Sequence, residues 1–347
     1  MIRFESDYLE GTHERILRRL MDTNLEQTCG YGEDVYCEMA RGRIQEACGT
    51  SEAYVQFLVG GTQTNTVVIA AALRPHQGVI AAQSGHINTH ESGAIEAAGH
   101  KVLVAPGIDG KLTEEEVKRI WMEHAEDSNR EHTVQPKMVY ISNPTEIGTI
   151  YSKKELEALS HVCRECGLYL YMDGARLGYG LTARGNDLTL EDIARCCHVF
   201  YIGGTKVGAL FGEAVVITDK SLMSDFRYLI KQRGGMLAKG RLLGVQFDEL
   251  FTNGLYFELG ARGNRMAEIL RNAFLQHGCG FLVETETNQL FPILEDRELE
   301  RLKETYSFSY WERVDECHSA VRFCTSWATR EEDIETFAKD LTQLGRG

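Results

Sequence analysis

The chain contains Phe200-Tyr-Ile-Gly-Gly-Thr-Lys206-Val-Gly-Ala209, which places one lysine between a β-branched, aromatic strand-like run and a glycine-rich turn. Upstream, Asp173-Gly-Ala-Arg176 follows a second strand-like run, Leu168-Tyr-Leu-Tyr-Met172. The 33 residues that separate Asp173 from Lys206 leave room for one helix and one strand. Each segment alone is weak evidence, because a lysine after a strand is most often a solvated residue. Together they place an amine and a carboxylate at strand ends.

An amine and a carboxylate in this arrangement fit the needs of pyridoxal phosphate (PLP). The cofactor requires a lysine for its Schiff base and an acid that keeps its pyridine nitrogen protonated. A carboxylate about 4 Å from that nitrogen contributes roughly 4 kcal/mol at an effective dielectric constant of about 20. The sequence therefore predicts a PLP site in which Lys206 binds the cofactor and Asp173 contacts its ring.

Seven apolar strand-like runs, with helical patterns between many of them, predict a parallel-rich sheet with crossover helices. The runs lie at 53–59, 78–82, 101–105, 137–142, 168–172, 198–202 and 214–218. Three helix starts are indicated by a hydroxyl followed three residues later by an acid, at Thr113, Ser152 and Thr189. We predict a large α/β domain over residues 1–250, in which residues 1–20 contribute to the substrate site.

A smaller α+β domain is predicted over residues 251–347. Its pattern consists of a long helix around 255–277, strand-like runs near 290–294 and 320–325, and a helix from about 330. The length of 347 residues is sufficient for two domains with a large core.

The charge and the first residues limit the partners and the compartment. The net charge of −14, from 37 Lys and Arg against 51 Asp and Glu, argues against a nucleic-acid or anionic-membrane partner. The sequence shows neither a signal peptide nor an apolar run of membrane-spanning length. Ten cysteines without a disulfide-scaffold composition predict free thiols in a reducing compartment, and we expect the cytoplasm.

Two cysteine pairs raise the question of a metal or redox site. Cys163 and Cys166 have C-x-x-C spacing, but both continue an apolar helical stripe that starts at Leu156. Cys196 and Cys197 have no second pair nearby with ligand spacing. We interpret all four as structural and predict no metal site, with a zinc or redox binding module as the alternative from another class.

Two further segments are predicted at the rim where ligands bind in open α/β sheets. The turn Gly60-Gly61-Thr62 lies between a strand and an apolar helix, so its N–H groups can bind a phosphate. His86 follows the next strand, where an imidazole can stack on a cofactor ring and act as an acid or base. Arg176 is a candidate to reach the phenolic oxygen of the cofactor or a substrate carboxylate, and Arg322 is a second candidate to bind the carboxylate.

The segments resemble the threonine aldolase and β-eliminating lyase family of fold-type-I PLP enzymes across nearly the whole chain. Asp-Gly-Ala-Arg with a downstream lysine is fairly specific to the wider superfamily, whereas the aldolase assignment depends on all motifs together. The matching segments are Ser6-Asp7, Gly32–Tyr36, Gly61-Thr62, His86–Ala94, Asp173–Arg176, Lys206 and Arg322. The resemblance implies the aspartate aminotransferase fold, with a mostly parallel seven-stranded sheet in the large domain.

The resemblance also implies roles for individual residues. Lys206, Asp173 and His86 are the implied catalytic residues, with His86 also stacked on the ring. The implied cofactor contacts are Lys206, Asp173, Gly61, Thr62, His86, Arg176 and Lys239. The implied substrate contacts are Ser6, Arg176, Arg322 and His90.

Two departures from the family pattern concern the site. Many members carry a second histidine after the fourth strand, whereas this chain has Ser142-Asn-Pro-Thr145-Glu146. The lysine lies in Gly-Gly-Thr-Lys206-Val-Gly rather than in the commoner Ser-Lys-Gly. A second branch of threonine aldolases resembles this chain at both places, so we interpret the departures as divergence within the family.

The implied activity is cleavage of L-threonine and related β-hydroxy amino acids to glycine and an aldehyde, with His86 as the candidate base. A β-eliminating amino-acid lyase or an aminotransferase stays open as the alternative, because the same cofactor chemistry leads to other products. A cysteine desulfurase is less favoured, although Cys317 lies upstream of Arg322. The natural aldehyde and the preference for threo or allo substrates are not determined by the sequence.

Fold-type-I sites usually form between two subunits, so the resemblance implies a homodimer or homotetramer. Lys239 or Arg233 is then the candidate to contact the phosphate bound by a partner subunit. The alternative is that both are solvated charges.

Overall fold

The computed structural model describes residues 1–344, in which strands and helices alternate and a smaller α+β portion follows. The strands are β1 (Ile2–Arg3), β2 (Tyr54–Leu58), β3 (Gln77–Ala82), β4 (Lys101–Ala105), β5 (Gln135–Ser142), β6 (Tyr169–Asp173), β7 (Val199–Gly203), β8 (Glu213–Ile217), β9 (Gln289–Leu290), β10 (Ile293–Glu295), β11 (Tyr306–Ser307), β12 (Ser309–Arg313) and β13 (His318–Cys324). The α-helices are α1 (Glu14–Asp22), α2 (Val35–Ala47), α3 (Gly61–Ala72), α4 (His86–Thr89), α5 (Ala94–Ala97), α6 (Glu114–Ala125), α7 (Lys153–Cys166), α8 (Leu177–Leu181), α9 (Leu190–Cys196), α10 (Phe226–Gln232), α11 (Arg241–Leu250), α12 (Leu255–His277), α13 (Asp296–Leu302) and α14 (Glu331–Leu344).

All seven strands predicted for the large sheet are present. Their spatial order is β2-β8-β7-β6-β5-β3-β4. The neighbours from β7 to β4 are parallel, whereas β8 runs antiparallel to both β2 and β7. The first residue of β8 therefore lies at the edge where the parallel strands end, which is the edge that binds ligands in such sheets.

The helices around the sheet begin as the sequence predicts. Capping boxes are formed at Thr113, Ser152 and Thr189, each with the acid three residues on. In α7 the predicted apolar stripe is buried at Leu156 and Cys163, which supports the structural interpretation of that cysteine. Separate hydrophobic cores cover the two faces of the sheet.

The connection from β6 to β7 contains two helices, α8 and α9, and not only the one helix for which the spacing leaves room. The first of them, α8, has five residues and packs very closely on its neighbours. A Cβ atom at Gly178 would lie 2.9 Å from Val207, and one at Gly180 would lie 2.8 Å from Pro144. These two glycines let a short helix fit directly behind the carboxyl ends of the strands.

A third core forms the smaller portion, from the second half of α12, strand β13 and α14. The long helix α12 links it to the large sheet, because Leu259 lies in a sheet core and Leu270 in the third core. Strand β1 pairs with β11, and Phe4 also lies in the third core. The first residues of the chain thus pack with the C-terminal portion, and the division at residue 250 stays a prediction.

Within residues 1–344, no helix has both the length and the apolar composition that a membrane span requires.

Candidate active site

Asp173 is the last residue of β6, and its carboxylate accepts four hydrogen bonds. Oδ1 accepts from the Tyr201 hydroxyl at 2.5 Å and from the backbone N–H of Ala175 at 3.0 Å. Oδ2 accepts from the Tyr140 hydroxyl at 2.6 Å and from Asn65 Nδ2 at 3.2 Å. These bonds fix the carboxylate, whose residue is only 4% exposed, at the ligand-binding edge. Of the four donors, Tyr201 and Ala175 line the same cavity as Asp173.

Lys206 lies in the turn after β7, and its backbone is fixed by a hydrogen bond from the Tyr179 hydroxyl to its carbonyl at 2.6 Å. Its Nζ lies 5.9 Å from the centre of the Tyr8 ring. Burial and then the nearby Arg176 guanidinium lower the pKa of the Lys206 amine, while Asp7 and other carboxylates oppose this. A lysine with a lowered pKa is more often a neutral nucleophile, as Schiff-base formation requires.

Lys206 and Asp173 open on one cavity of about 270 Å³. It brings together residues from the ends of β2, β3, β5, β6 and β7 and from the start of β8. The residues that line it are Tyr8, Val59, Gly60, Gly61, Thr62, His86, Ser142, Pro144, Thr145, Glu146, Asp173, Ala175, Arg176, Tyr201, Thr205, Lys206 and Glu213. The sequence-predicted Lys206, Asp173, Gly61, Thr62, His86 and Arg176 thus meet at one place.

The helix α3 begins at the edge of the cavity. Gly60 is the N-terminal cap of this 12-residue helix, and no side chain within residues 1–344 caps it. The start of a helix therefore faces the cavity through Gly61 and Thr62, with the donors and the dipole that bind an anion. A Cβ atom at Gly61 would lie 3.0 Å from the Tyr201 hydroxyl, so a side chain there would crowd the turn.

The imidazole of His86 is oriented by a buried carboxylate. Its Nδ1 lies 2.8 Å from Oε1 of Glu91. The same oxygen accepts a hydrogen bond of 2.6 Å from Asn65 Nδ2, which also contacts Asp173. With Nδ1 bound to a carboxylate, Nε2 is the nitrogen available to a ligand. One network therefore holds His86 and Asp173 in fixed relation.

Glu146 occupies the region where many relatives of the resembled family carry a second histidine. Its Oε1 accepts from the backbone N–H of His86 at 2.9 Å and from the Ser142 hydroxyl at 2.6 Å. Burial raises the pKa of the Glu146 carboxyl. The segment 142–146 thus brings a rigidly held acid into the cavity, beside the imidazole.

Arg176 is held by a buried partner from the N-terminal segment. Its Nε and Nη2 donate to the two oxygens of Asp7 at 2.7 and 3.1 Å, and Asn288 donates to Asp7 at 2.8 Å. The Arg176 guanidinium keeps the pKa of the buried Asp7 carboxyl below its usual value, against the effect of burial. The pair anchors the segment that leads to Tyr8, which lines the cavity; the contribution of residues 1–20 to the substrate site stays a prediction.

Two donors near this pair have no partner among the described residues. Ser6 Oγ and Arg322 Nε are both buried and unpaired, although Arg322 Nη2 donates to the Glu5 carbonyl at 3.3 Å. His90 lies nearby, with its ring centre 5.6 Å from that of His86. Burial, then His86, Arg322 and Arg176 lower its pKa. Unpaired donors beside cationic groups form a place for a carboxylate.

Glu213, the first residue of β8, is a site residue that the sequence reasoning missed. It is 4% exposed and lines the cavity. Its Oε1 accepts from the Thr205 hydroxyl at 3.0 Å, whereas Oε2 is buried and has no partner in the part of the chain that the structure describes. In the sequence, the one indication of this role was a charged residue directly before the apolar run 214–218.

Lys239 does not line this cavity within one chain. It lines a separate cavity of about 510 Å³ with residues such as Thr23 and Arg241. Arg233 Nε is buried and has no hydrogen-bond partner among residues 1–344, and the Arg233 carbonyl accepts from Gln63 near the start of α3. The prediction that either residue contacts a partner's phosphate is not tested by one chain.

The family model for beta-eliminating lyases matches residues 4–297, which is most of the chain. The chain belongs to the beta-eliminating lyase family. Membership confirms the recognition made from Asp173–Arg176 and Lys206, the enzyme class of lyase and the PLP cofactor. The walls of the cavity fit PLP, since they supply an amine, a carboxylate, an imidazole and a helix start.

Similar proteins extend over nearly the whole length of this family member. The low specificity L-threonine aldolase of Pseudomonas aeruginosa is 28% identical over 342 residues, which cover 98% of this chain and 96% of that protein. The solved structure of Leishmania major threonine aldolase is 46% identical, with a TM-score of 0.97, and covers 99% of this chain and 100% of its own. An aspartate aminotransferase of Thermus thermophilus has a TM-score of 0.71 at 19% identity, covering 100% of this chain and 91% of its own. The predicted fold of this lyase-family chain, that of fold-type-I PLP enzymes, is thereby confirmed.

Proposed function

We propose that this chain is a PLP-dependent L-threonine aldolase, an aldehyde-lyase of class EC 4.1.2.-. It cleaves L-threonine, L-allo-threonine and related β-hydroxy amino acids to glycine and an aldehyde. The observation that carries the proposal is the meeting of Lys206, Asp173 and His86 in one cavity. Ser6 Oγ and Arg322 Nε, which are buried without a partner among the described residues, are the proposed carboxylate contacts. Relatives over the whole chain length, from Pseudomonas aeruginosa and Leishmania major, are named threonine aldolases.

The residues of the cavity divide between binding the cofactor and binding the substrate. In the proposal Lys206 holds PLP, Asp173 contacts its ring nitrogen and Gly61 and Thr62 bind its phosphate. When bound, PLP supplies an electron sink for the bond that breaks at the substrate Cα. His86 stacks on the ring from the position that Glu91 gives it.

The substrate is held through its carboxylate and its hydroxyl group. Ser6, Arg176 and Arg322 bind the carboxylate, with His90 as a further contact at the rim. This fixes the amino acid so that its hydroxyl lies near His86, whose Nε2 is available to take the hydroxyl proton. Loss of that proton allows the Cα–Cβ bond to break and the aldehyde to leave.

Product analysis with L-threonine tests the function. The purified protein is loaded with PLP, and glycine and acetaldehyde are measured together in time. Equal amounts of both products are expected. An oxo acid with ammonia would indicate a β-eliminating lyase, and transfer of the amino group to an added oxo acid would indicate an aminotransferase. Either result would remove the aldolase assignment and keep the cofactor.

Replacement of Arg322 by Leu is expected to raise KM for L-threonine by about 10 to 100-fold. Hydrogen bonds to charged groups contribute about 1.5–3 kcal/mol, and about 1.4 kcal/mol corresponds to a factor of ten. The visible absorbance of bound PLP should not change, because the contact proposed for Arg322 is with the substrate and not with the cofactor. Arg330→Leu is the matched control, since Arg330 is exposed and paired with Asp333. An unchanged KM in Arg322→Leu would exclude the carboxylate contact.

We also propose a homodimer or homotetramer whose site is completed by Lys239 or Arg233 of a partner subunit. The support is that Lys239 lies outside the cavity of its own chain. Lys239→Ala is expected to weaken PLP binding while sedimentation still shows the oligomer. A fully active monomer would exclude a shared site. The ten free cysteines support a reducing compartment, for which we propose the cytoplasm.

A further inference from the structure

A carboxylate, a thiol and an imidazole meet at the tip of the hairpin formed by β12 and β13. The connection between the strands spans residues 314–317, and His318 is the first residue of β13. The ligand atoms of Asp315, Cys317 and His318 all lie within 4.8 Å of one another. The group is separate from the cavity of Lys206, which is lined by other residues.

The loop itself brings these three side chains together. The backbone N–H groups of Cys317 and His318 donate to Oδ1 of Asp315 at 2.9 and 2.8 Å. His318 Nδ1 lies 2.9 Å from Oδ2 of Asp315, and the same nitrogen lies 3.5 Å from Cys317 Sγ. One nitrogen, one sulfur and one oxygen atom are therefore adjacent before any ion is bound.

The separations are close to those around a tetrahedral zinc ion. Zinc bonds of about 2.3 Å to sulfur and about 2.0–2.2 Å to nitrogen or oxygen place a sulfur and a nitrogen ligand about 3.6 Å apart, and a nitrogen and an oxygen ligand about 3.4 Å apart. The distance between Cys317 Sγ and His318 Nδ1 already agrees with the first value. The His318–Asp315 distance must increase by about 0.5 Å, which rotation of an exposed carboxylate can provide.

A second carboxylate reaches the same place from β10. Glu295 is in register with His318 of β13. Directly opposed residues of an antiparallel pair have Cβ atoms about 4.5–5.5 Å apart and point to the same face. Desolvation, then the charges of Asp315 and Glu295, raise the pKa of the Cys317 thiol, which agrees with this proximity. The tip thus has a candidate fourth ligand and a negative potential that attracts a cation.

We propose that Asp315, Cys317 and His318 bind a zinc ion, with Glu295 or a water molecule as the fourth ligand. Thiolate, imidazole and carboxylate are the ligands that zinc takes in proteins, whereas magnesium and calcium take oxygen ligands. On binding, the Cys317 S–H bond breaks, a sulfur–zinc bond forms and the proton passes to solvent.

This site differs from the expectation drawn from the sequence. The prediction of no metal site was based on two other cysteine pairs, at 163–166 and 196–197. The ligands found here come from one loop and from a strand 20 residues upstream of its first member, and only the pairing of β10 with β13 brings them together. The bound ion would tie the hairpin to β10, on the strand that also carries Arg322.

The experiment titrates cobalt(II) into the full chain without PLP, after removal of metals with a chelator. Zinc has a filled d shell and no visible spectrum, whereas cobalt takes similar ligands and reports them by its absorbance. We expect thiolate-to-cobalt charge-transfer absorption that saturates at one cobalt per chain and is removed by added zinc. Excess magnesium should not remove it, because a thiolate is a poor ligand for a hard cation.

Three variants test the ligands one by one. Cys317→Ser should lack the charge-transfer absorption. His318→Gln and Asp315→Asn should weaken cobalt binding by about 10-fold or more, since loss even of a group that supports a ligand has an effect of that size. Cys29→Ser is the matched control, because Cys29 is the other exposed cysteine, and its spectrum should equal that of the original chain.

The result that would overturn the site is absence of charge-transfer absorption at saturating cobalt, or equal absorption in Cys317→Ser. Unchanged affinity in both His318→Gln and Asp315→Asn would also overturn it, because the thiol would then bind the ion alone. Circular dichroism of each variant checks that the chain is folded. The measurement uses neither PLP nor substrate, so its outcome is independent of the aldolase proposal.

Discussion

Lys206→Ala is expected to abolish the visible absorbance that PLP acquires on binding, and to lower turnover of L-threonine by roughly 10³-fold or more. A fall of that order follows when the nucleophile of a covalent mechanism is removed. The structural reason is that Lys206 lines the same cavity as Asp173, His86 and the start of α3. The remaining contacts can still bind PLP, but without a covalent bond to the protein.

Two measurements separate this loss from unfolding. Thermal unfolding of Lys206→Ala, followed by circular dichroism, should stay cooperative, because the lysine lies in a turn and caps no helix. Lys220→Ala is the matched control, since that lysine is exposed and paired with Glu52 far from the cavity edge. A visible band of ordinary intensity in Lys206→Ala would contradict the cofactor site, and full turnover would contradict the mechanism.

The large sheet was predictable because its strands are continuous apolar runs. β5, β7 and β8 are buried almost throughout, as strands covered by helices on both faces must be. Because the carboxyl ends of parallel strands meet at one edge, Lys206 and Asp173 were predicted together from two short segments. Sequence periodicity and strand direction therefore suffice for the parallel-rich sheet and for the placement of Lys206 and Asp173 at one edge of it.

The rest of the site depends on contacts that cannot be predicted from the periodicity of the strands. Glu213 joins the cavity only because β8 is antiparallel, so that its first residue reaches the edge where the other strands end. Asp7 meets Arg176 across 169 residues, and Glu91 meets His86 within an irregular turn. These acids are positioned by tertiary packing, and the single sequence gives no rule that pairs them.

His86→Asn is expected to keep the visible band of bound PLP and to lower the rate of aldol cleavage by about 10² to 10⁴-fold. Loss of a positioned general base has an effect of this size. In the structure Oε1 of Glu91 lies 2.8 Å from His86 Nδ1, so Nε2 is the ring nitrogen available to a ligand. Asparagine keeps a polar side chain of similar reach but cannot take a proton near neutral pH. The cofactor contacts of Lys206 and Asp173 do not depend on the imidazole.

The pH dependence distinguishes a base from a stacking group. A base must be unprotonated, so kcat of the original chain should fall at acid pH, and this acid limb should be absent in His86→Asn. Glu91→Gln is expected to give an intermediate loss, because it keeps the imidazole and weakens only its orientation. His161→Asn, on the exposed side of α7, is the matched control and should retain full turnover. If His86→Asn loses activity but keeps the acid limb, the base is another group, and Glu146, whose pKa is raised by burial, is the next residue to replace.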